Sequence, residues 1–153
     1  SEFIMDGDEI YLLETEARGG GVYISSDLIS LETGINVEKF LVDIALGQLQ
    51  EMPQSKATGK YSGYKAFYVP FGTVKSISGL AEVKALPYVH RNQLDNLHIG
   101  MDVPVEKLNK TNRLALIVEA ESEKQWLERV AHIQDILHVE CESDGINHDL
   151  VWK

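Results

Sequence analysis

Two glutamates near the N-terminus, Glu2 and Glu14, have the residue type and spacing best suited to chemistry. They lie twelve residues apart on either side of an Asp-Gly-Asp sequence, which predicts a β-hairpin because it separates two apolar runs. With an odd-numbered loop over residues 7–9, Glu2 faces Glu14 on one side of the hairpin. Facing carboxylates repel by about 0.2–1 kcal/mol unless a cation joins them. Oxygen ligands of this kind suit a hard divalent ion.

The same glutamates have a second interpretation, as solvated acids on an exposed edge hairpin, since surface acids are common. Glu-Phe is also a common cloning scar, so Glu2 is either native or derived from a vector. Arg18 follows Glu14 by four residues, and a guanidinium can hold a phosphate or carboxylate through two hydrogen bonds. Its alternative role is a surface salt bridge, which stabilises little.

Composition restricts the classes of partner. The chain has 153 residues, 44% of them hydrophobic, and a net charge of −10, which disfavours nucleic-acid and anionic-membrane surfaces. No apolar run reaches the ~18 residues of a transmembrane helix, and no signal peptide is visible. A single cysteine, Cys141, fits a reducing cytoplasm. The chain begins without methionine, in what reads as the middle of a strand, so we expect a piece of a longer protein.

Hydrophobic periodicity and caps predict the elements that position these residues. Two short helices follow the hairpin, the second capped by Asn36, and a polar stretch over residues 49–62 is the best linker candidate. The second half alternates strands and helices, with a buried strand over 114–118 and a capping box at Ser122. The predicted fold class is α+β. The predicted division is 1–48, the linker 49–62, and a small α+β region over 63–153.

These motifs resemble the C-terminal part of the ATP-grasp superfamily. In that family one acidic strand residue is followed about twelve residues later by a Glu-x-Asn-x-Arg motif, which here is Glu14-Thr15-Glu16-Ala17-Arg18, with Glu2 at the first acid's position. Thr33-Gly34-Ile35 and the stretch 40–47 are similar to the family's continuation. Residues 71–74 and 114–137 are similar to the small β-rich region of biotin-carboxylase-like and carbamoyl-phosphate-synthase-like members.

The resemblance implies the C-terminal half of an ATP-grasp fold: an antiparallel sheet with short packed helices and a small β-rich C-terminal region. It also implies a ligase that uses ATP and Mg²⁺ or Mn²⁺ to join a small carboxylate to an amine through an acyl-phosphate. Glu2, Glu14 and Glu16 would be the metal ligands, and Arg18 the catalytic and phosphate-binding residue. Ile4 and Leu12, predicted to lie on the acids' face, would support the adenine ring.

One position departs from the family pattern, because Glu16 replaces its asparagine. Glu16 either ligates the metal with extra negative charge or marks altered metal use or lost activity. The competing hypothesis is therefore a non-catalytic binding or assembly module built on the same scaffold. If the chain is part of a ligase, the missing N-terminal domains of the same polypeptide are the expected partner. Surface that those domains would cover predicts self-association of this chain into a homo-oligomer.

Overall fold

The structure, a computed structural model, describes residues 2–15, 21–48, 51–104 and 112–152. It begins with an antiparallel hairpin of β1 (Glu2–Asp6) and β2 (Glu9–Glu14). The strands are joined by a two-residue turn, in which Gly7 has a φ of 60°. A type II′ hairpin turn needs this left-handed backbone at its first central residue, which explains the glycine. The predicted hairpin is therefore confirmed, with a shorter loop than predicted.

A helical segment follows the hairpin. A π-helical turn, Ile24–Leu28, continues directly into α1 (Ile29–Thr33), which ends at Gly34 with a φ of 71°. Helix α2 (Val37–Ala45) is capped as predicted, because the Asn36 side chain accepts a hydrogen bond of 2.8 Å from the backbone N–H of Lys39. Such a cap satisfies one of the unpaired donors of the first helical turn. Gly34 therefore ends α1, and Asn36 begins α2.

Two four-stranded antiparallel sheets lie in the described residues that follow. In the first, the strand order is β10-β3-β7-β5, and β3 pairs with β7 along its whole length, from Tyr61 opposite Ala120 to Tyr68 opposite Arg113. In the second, the order is β6-β4-β8-β9. The strands are β3 (Tyr61–Tyr68), β4 (Gly72–Ser78), β5 (Val89–Asn92), β6 (Asp102–Val103), β7 (Arg113–Ala120), β8 (His138–Ser143), β9 (Ile146–Asp149) and β10 (Val151–Trp152). The predicted α+β class with antiparallel sheets is confirmed.

The described part of the second half also contains two helices, α3 (Leu80–Ala85) and α4 (Glu123–Ile136). The Ser122 hydroxyl caps α4 by accepting a hydrogen bond of 3.3 Å from the Gln125 N–H. The apolar stripe predicted for α4 is confirmed: it packs against the main core. Its members are Trp126, Val130, Ile133 and Leu137. No helix in the described ranges is long and apolar enough to cross a membrane.

The hydrophobic core lies on one face of the first sheet. Alternate residues of β7 point into it, and the opposite face of β7 is also covered, since Ala115 and Ile117 are each only 1% exposed. A strand buried on both faces reads as a continuous apolar run, which is why 114–118 was recognisable in the sequence. The largest fully buried side chains are Phe67, Leu94, Leu116, Ile117, Ile133 and Leu137.

One glycine of β3 allows a close helix–sheet contact. A Cβ atom at Gly63 would lie 2.6 Å from Cε2 of Trp126, inside the van der Waals limit. The indole of Trp126 therefore packs directly on the backbone of β3, and its ring meets that of Tyr61 edge to face at 6.3 Å between centroids. The absence of a side chain at position 63 sets the distance between α4 and the first sheet.

The predicted linker is partly structured. Strand β3 begins at Tyr61, inside the predicted range 49–62, and residues 51–60 carry no helix or strand. The Thr58 hydroxyl donates a hydrogen bond of 2.6 Å to the Leu31 carbonyl, so this stretch is attached to α1. The division of the chain into 1–48 and 63–153 remains a prediction.

Candidate functional site

The hairpin brings the two predicted acidic ligands together. Glu2 and Glu14 are directly paired residues of β1 and β2. The pairing has a different origin from the one predicted. The turn has two residues rather than three, and a register shift between Glu2 and Phe3 leaves Leu13 as the extra residue on β2. A β-bulge of this kind places two residues opposite one. It restores the pairing that the shorter turn alone would have removed.

The same register corrects the prediction for the two apolar residues. Ile4 pairs with Tyr11, and Leu12 pairs with Phe3. Because directly paired residues share a face and consecutive residues alternate, Ile4 and Leu12 lie on opposite faces of the hairpin. They were predicted to share one face because a three-residue loop was assumed. Only one of them can therefore line the face that carries the acids.

Glu16 and Arg18, the other two predicted site residues, lie outside the described residues. Their assignment as metal ligand and as catalytic, phosphate-binding residue remains a prediction. Strand β2 ends at Glu14, before this part of the motif.

The chemistry of the acidic pair fits a hard divalent cation. Both glutamates are exposed, and both would offer carboxylate oxygens from adjacent strands. Within the described ranges, no cluster of three or more His, Cys, Asp or Glu side chains could hold a metal. Two carboxylates are nonetheless what Mg²⁺ ordinarily takes from a protein when phosphate oxygens and waters complete its shell. The pair is suited to an open cation site that other oxygen ligands complete rather than to a closed metal cage.

Apolar side chains cover both faces of the hairpin. Their exposed fractions run from 49% at Tyr11 to 72% at Met5. The exposed set is Phe3, Ile4, Met5, Ile10, Tyr11, Leu12 and Leu13. Contiguous exposed apolar surface of this kind usually marks a place where another element or molecule packs. The acidic pair therefore stands at one end of a ribbon that has apolar surface available on each side.

A network of ionic contacts fastens the helical segment to the first sheet. Asp27, in the π-helical turn, is only 3% exposed, and its Oδ1 accepts a hydrogen bond of 2.8 Å from Nε of Arg91 on β5. His90 lies between two carboxylates, with Nε2 3.4 Å from Asp27 Oδ1 and Nδ1 2.9 Å from Glu119 Oε1. Lys60 extends the network, at 2.8 Å from Glu119 Oε2. A buried carboxylate is tolerated because it is paired in this way.

Both carboxylates of the network have lowered pKa values. Burial acts to raise the pKa of Asp27, but hydrogen bonds from Ser26 and Arg91 outweigh it, and the pKa lies below the ordinary 3.8. Burial likewise acts to raise the pKa of Glu119, yet the hydrogen bond and charge of Lys60 bring it below the ordinary 4.5. The two acids are therefore ionised at neutral pH, and their ionisation stabilises the contact.

Sequence reasoning did not find this network. The pairs join residues 64 positions apart, as for Asp27 and Arg91, so no local pattern signals them. They become visible only once β5 and the helical segment are placed side by side.

Comparisons with known proteins give one informative likeness. Neither a protein family nor a curated protein matches the sequence. Among solved structures, the chain is similar to an L-amino acid ligase from Bacillus licheniformis, with a TM-score of 0.71 and 23% sequence identity. The alignment covers 92% of this chain and 35% of that chain, so this chain spans about a third of the ligase's length. The likeness shows that this chain shares its fold with part of that ligase, an α+β arrangement with antiparallel sheets as predicted.

Proposed function

We propose that this chain is the part of an ATP-dependent ligase that supplies two acidic magnesium ligands, Glu2 and Glu14. The observation that carries the proposal is the direct pairing of these glutamates on a hairpin, in a fold shared with an L-amino acid ligase. Opposed carboxylates on a two-stranded ribbon repel each other unless a cation binds between them, so the pairing of Glu2 and Glu14 supports a cation-binding site. Mn²⁺ would be accepted in place of Mg²⁺ because it takes the same oxygen ligands.

The proposed reaction joins a small carboxylate to an amine. The substrate carboxylate would attack the γ-phosphorus of ATP, releasing ADP and forming an acyl-phosphate, and the amine would then attack the acyl carbon and release inorganic phosphate. A bound divalent ion would supply charge screening for the phosphates. The task of Glu2 and Glu14 is to hold the ion at a fixed place beside the phosphates. Arg18 would hold a phosphate or carboxylate oxygen through two hydrogen bonds, a geometry that lysine does not offer. Glu16 would add a third carboxylate to the metal site.

The site is completed by protein that lies outside this chain. Two observations support this part of the proposal: the chain spans about a third of the similar ligase, and apolar residues on both hairpin faces are exposed. N-terminal domains of the same polypeptide would cover the hairpin and add the remaining nucleotide and substrate contacts. This chain alone would then bind nucleotide poorly and catalyse nothing. A cytoplasmic location follows as part of the proposal, from the lone Cys141.

Paramagnetic broadening by Mn²⁺ tests the metal assignment on the 153-residue chain. We expect Mn²⁺ to broaden the amide NMR signals around Glu2 and Glu14 first, and the Glu14→Gln variant to lose this preference. Glu9→Gln is the matched control, because Glu9 pairs with Asp6 at the turn end of the same hairpin. Broadening centred on the turn, or unchanged in Glu14→Gln, would overturn the assignment.

Calorimetry with Mg-ATP tests the claim that the nucleotide site is incomplete. Titration of the 153-residue chain should show no affinity in the micromolar range, because only a few of the required contacts are present. A micromolar dissociation constant would show that this chain already contains a working nucleotide site. The proposal that additional domains complete the site would then fail.

A second candidate function, a non-catalytic binding or assembly module, is favoured by one observation, the glutamate at position 16. In the complete polypeptide, Glu16→Asn would restore the family pattern. An inactive parent that gains ATP-dependent phosphate release in Glu16→Asn would support the non-catalytic module. A parent that is active before the substitution would exclude it.

A further inference from the structure

A polar cavity lies away from the acidic pair, at the junction of the helical segment and the first sheet. Its volume is about 540 Å³, within the range of about 300–1,000 Å³ that is usual for small-molecule sites. Its lining consists of Tyr23 from the helical segment, Asn92 at the end of β5, the residues Gln93, Asp95 and Asn96 that follow it, and Arg113 and Leu114 at the start of β7. Neither the ligase proposal nor the acidic hairpin uses any of these residues.

The guanidinium of Arg113 is fixed in place by a tyrosine. Nε and Nη2 of Arg113 both donate to the hydroxyl of Tyr64, at 2.9 and 2.5 Å. This hydrogen bond raises the pKa of Arg113, so Arg113 is positively charged at neutral pH. A guanidinium has five N–H donors, and the Tyr64 contact engages two of its three nitrogens. Arg113 can therefore present a pre-oriented donor set to an anion, and a planar guanidinium matches a carboxylate, like a phosphate, with two hydrogen bonds.

Three carboxamide side chains line the same cavity with unused hydrogen-bonding capacity. Gln93 donates from Nε2 to the Tyr23 hydroxyl at 2.7 Å, which fixes the amide and leaves its carbonyl oxygen as an acceptor. Asn92 accepts from the Leu94 N–H through Oδ1 at 3.3 Å, which leaves its amino group as a donor. Asn96 is exposed, and it has no hydrogen-bond partner among the described residues. The wall thus offers both amide donors and amide acceptors.

The charge balance of the cavity also favours a carboxylate. Among its described lining residues, Arg113 is the one cation and Asp95 the one acid. Asp95 points to solvent, with 86% of its side chain exposed, and it pairs with Lys84 at 2.6 Å between Nζ and Oδ1. This ion pair partly neutralises the negative charge of Asp95. Arg113 thus contributes the positive charge of this lining, beside three neutral amides.

We propose that this cavity is a binding site for a small carboxylate that also carries an amide group, of which a dipeptide with a free C-terminus is the simplest example. The carboxylate would pair with Arg113. The peptide C=O and N–H would meet the donors and acceptors of Asn92, Gln93 and Asn96. The proposal stands on the geometry of this cavity and does not require the chain to be part of a ligase.

NMR titration of the ¹⁵N-labelled 153-residue chain tests the proposal, with L-alanyl-L-alanine as the probe. We expect saturable shifts of the amide signals of residues 92–96, with a dissociation constant below about 1 mM. The same dipeptide with an amidated C-terminus should bind at least about tenfold more weakly, because it lacks the partner of Arg113. Equal affinity for the two peptides, or no saturable shift, would overturn the proposal. Inorganic phosphate that competes as well as the dipeptide would also overturn it, because amide recognition would then be absent.

Two variants separate the cavity from the rest of the fold. Arg113→Gln should weaken dipeptide binding at least about tenfold, whereas Lys124→Gln removes one positive charge from the exposed surface of α4 and should change nothing. If circular dichroism shows that Arg113→Gln fails to fold, Asn96→Ala tests the site instead. The exposed side chain of Asn96 can be removed without disturbing the core. Unchanged affinity in Asn96→Ala would contradict the amide-recognition part. Binding should persist in Glu14→Gln, which keeps this test independent of the ligase proposal.

Discussion

Asp27 Oδ1 and Arg91 Nε are joined by a 2.8 Å hydrogen bond that connects the helical segment to the edge strand β5. Asp27 is almost fully buried, while Arg91 also lies over the ring of Tyr23, with its Cζ 4.8 Å from the ring centroid. The segment that follows the acidic hairpin in sequence is therefore anchored to the first sheet by a paired charge and a cation–π contact. The position of this segment is set by specific polar contacts rather than by the hydrophobic core.

Replacing Asp27 by asparagine should destabilise the chain. The variant removes the charge that Arg91 and His90 face, and hydrogen bonds to charged groups contribute about 1.5–3 kcal/mol each. We expect the free energy of unfolding in urea to fall by about that amount. The matched control is Asp43→Asn, which breaks the exposed Lys39–Asp43 pair within α2 and should cost less than about 0.5 kcal/mol. Equal losses in the two variants would contradict the anchoring role of Asp27.

Stability should decline in acid because of the same network. The folded-state pKa values of Asp27 and Glu119 are lowered, so folding is favoured by their ionisation. This contribution is complete above the ordinary values of 3.8 and 4.5 and is lost as the pH falls through the lowered values. Urea unfolding between about pH 3 and pH 7 should show this loss. The decline should be shallower in Asp27→Asn than in Glu123→Gln, a control at an exposed position of α4, and identical slopes would argue against the network.

An alanine at Gly63 should disturb the contact between β3 and α4. Its Cβ would lie 2.6 Å from the Trp126 ring, so the indole would have to move. Overpacking of this kind costs about 1–3 kcal/mol. Gly21→Ala is the control, because a Cβ there meets no atom within 4 Å. The midpoint of thermal unfolding should fall for Gly63→Ala. For Gly21→Ala it should change by no more than about a degree or two, because a small change in the free energy of unfolding shifts the midpoint only slightly. A normal midpoint in Gly63→Ala would show that the indole does not pack on this backbone.

Local chemistry made the helix limits, the hairpin and the buried strands predictable. The Asn36 and Ser122 caps and the apolar run of β7 each act through neighbouring residues, and each has its predicted effect. The hairpin loop was predicted one residue too long, because Gly7-Asp8-Glu9 and Gly7-Asp8 are both acceptable turns. The bulge at Leu13 has no sequence signal of its own, so the correct pairing of the two acids rested on an incorrect loop length.

Contacts between distant segments could not be predicted. Strand β10 has two residues and pairs with β3, about eighty positions earlier in the chain, and β6 is equally short. A two-residue strand carries no periodicity from which to recognise it. The cavity beside Arg113 likewise arises only when β5, β7 and the helical segment meet. The candidate acidic pair was accessible to sequence reasoning because both of its members belong to one local hairpin.

Self-association of this chain should depend on the hairpin. Phe3 and Leu12 are paired on one face, and each is 59% exposed. We expect sedimentation velocity to show concentration-dependent association, which the double variant Phe3→Lys/Leu12→Lys should reduce. The control Leu127→Lys changes a similarly exposed residue of α4, at 55%, and should leave association unchanged. A monomer at all concentrations would contradict the expectation that the hairpin faces are covered by other protein.

ATP-dependent phosphate release by the complete polypeptide tests the central claim most directly. Glu14→Gln keeps the size of the side chain and removes the charge proposed to ligate the metal. Since loss of an outer-shell partner alone costs about 10–100-fold, loss of a ligand should reduce turnover by at least about 100-fold. The control Glu123→Gln, on the exposed surface of α4, should retain full turnover. Unchanged phosphate release in Glu14→Gln would contradict the assignment of the Glu2–Glu14 pair as a magnesium–nucleotide site.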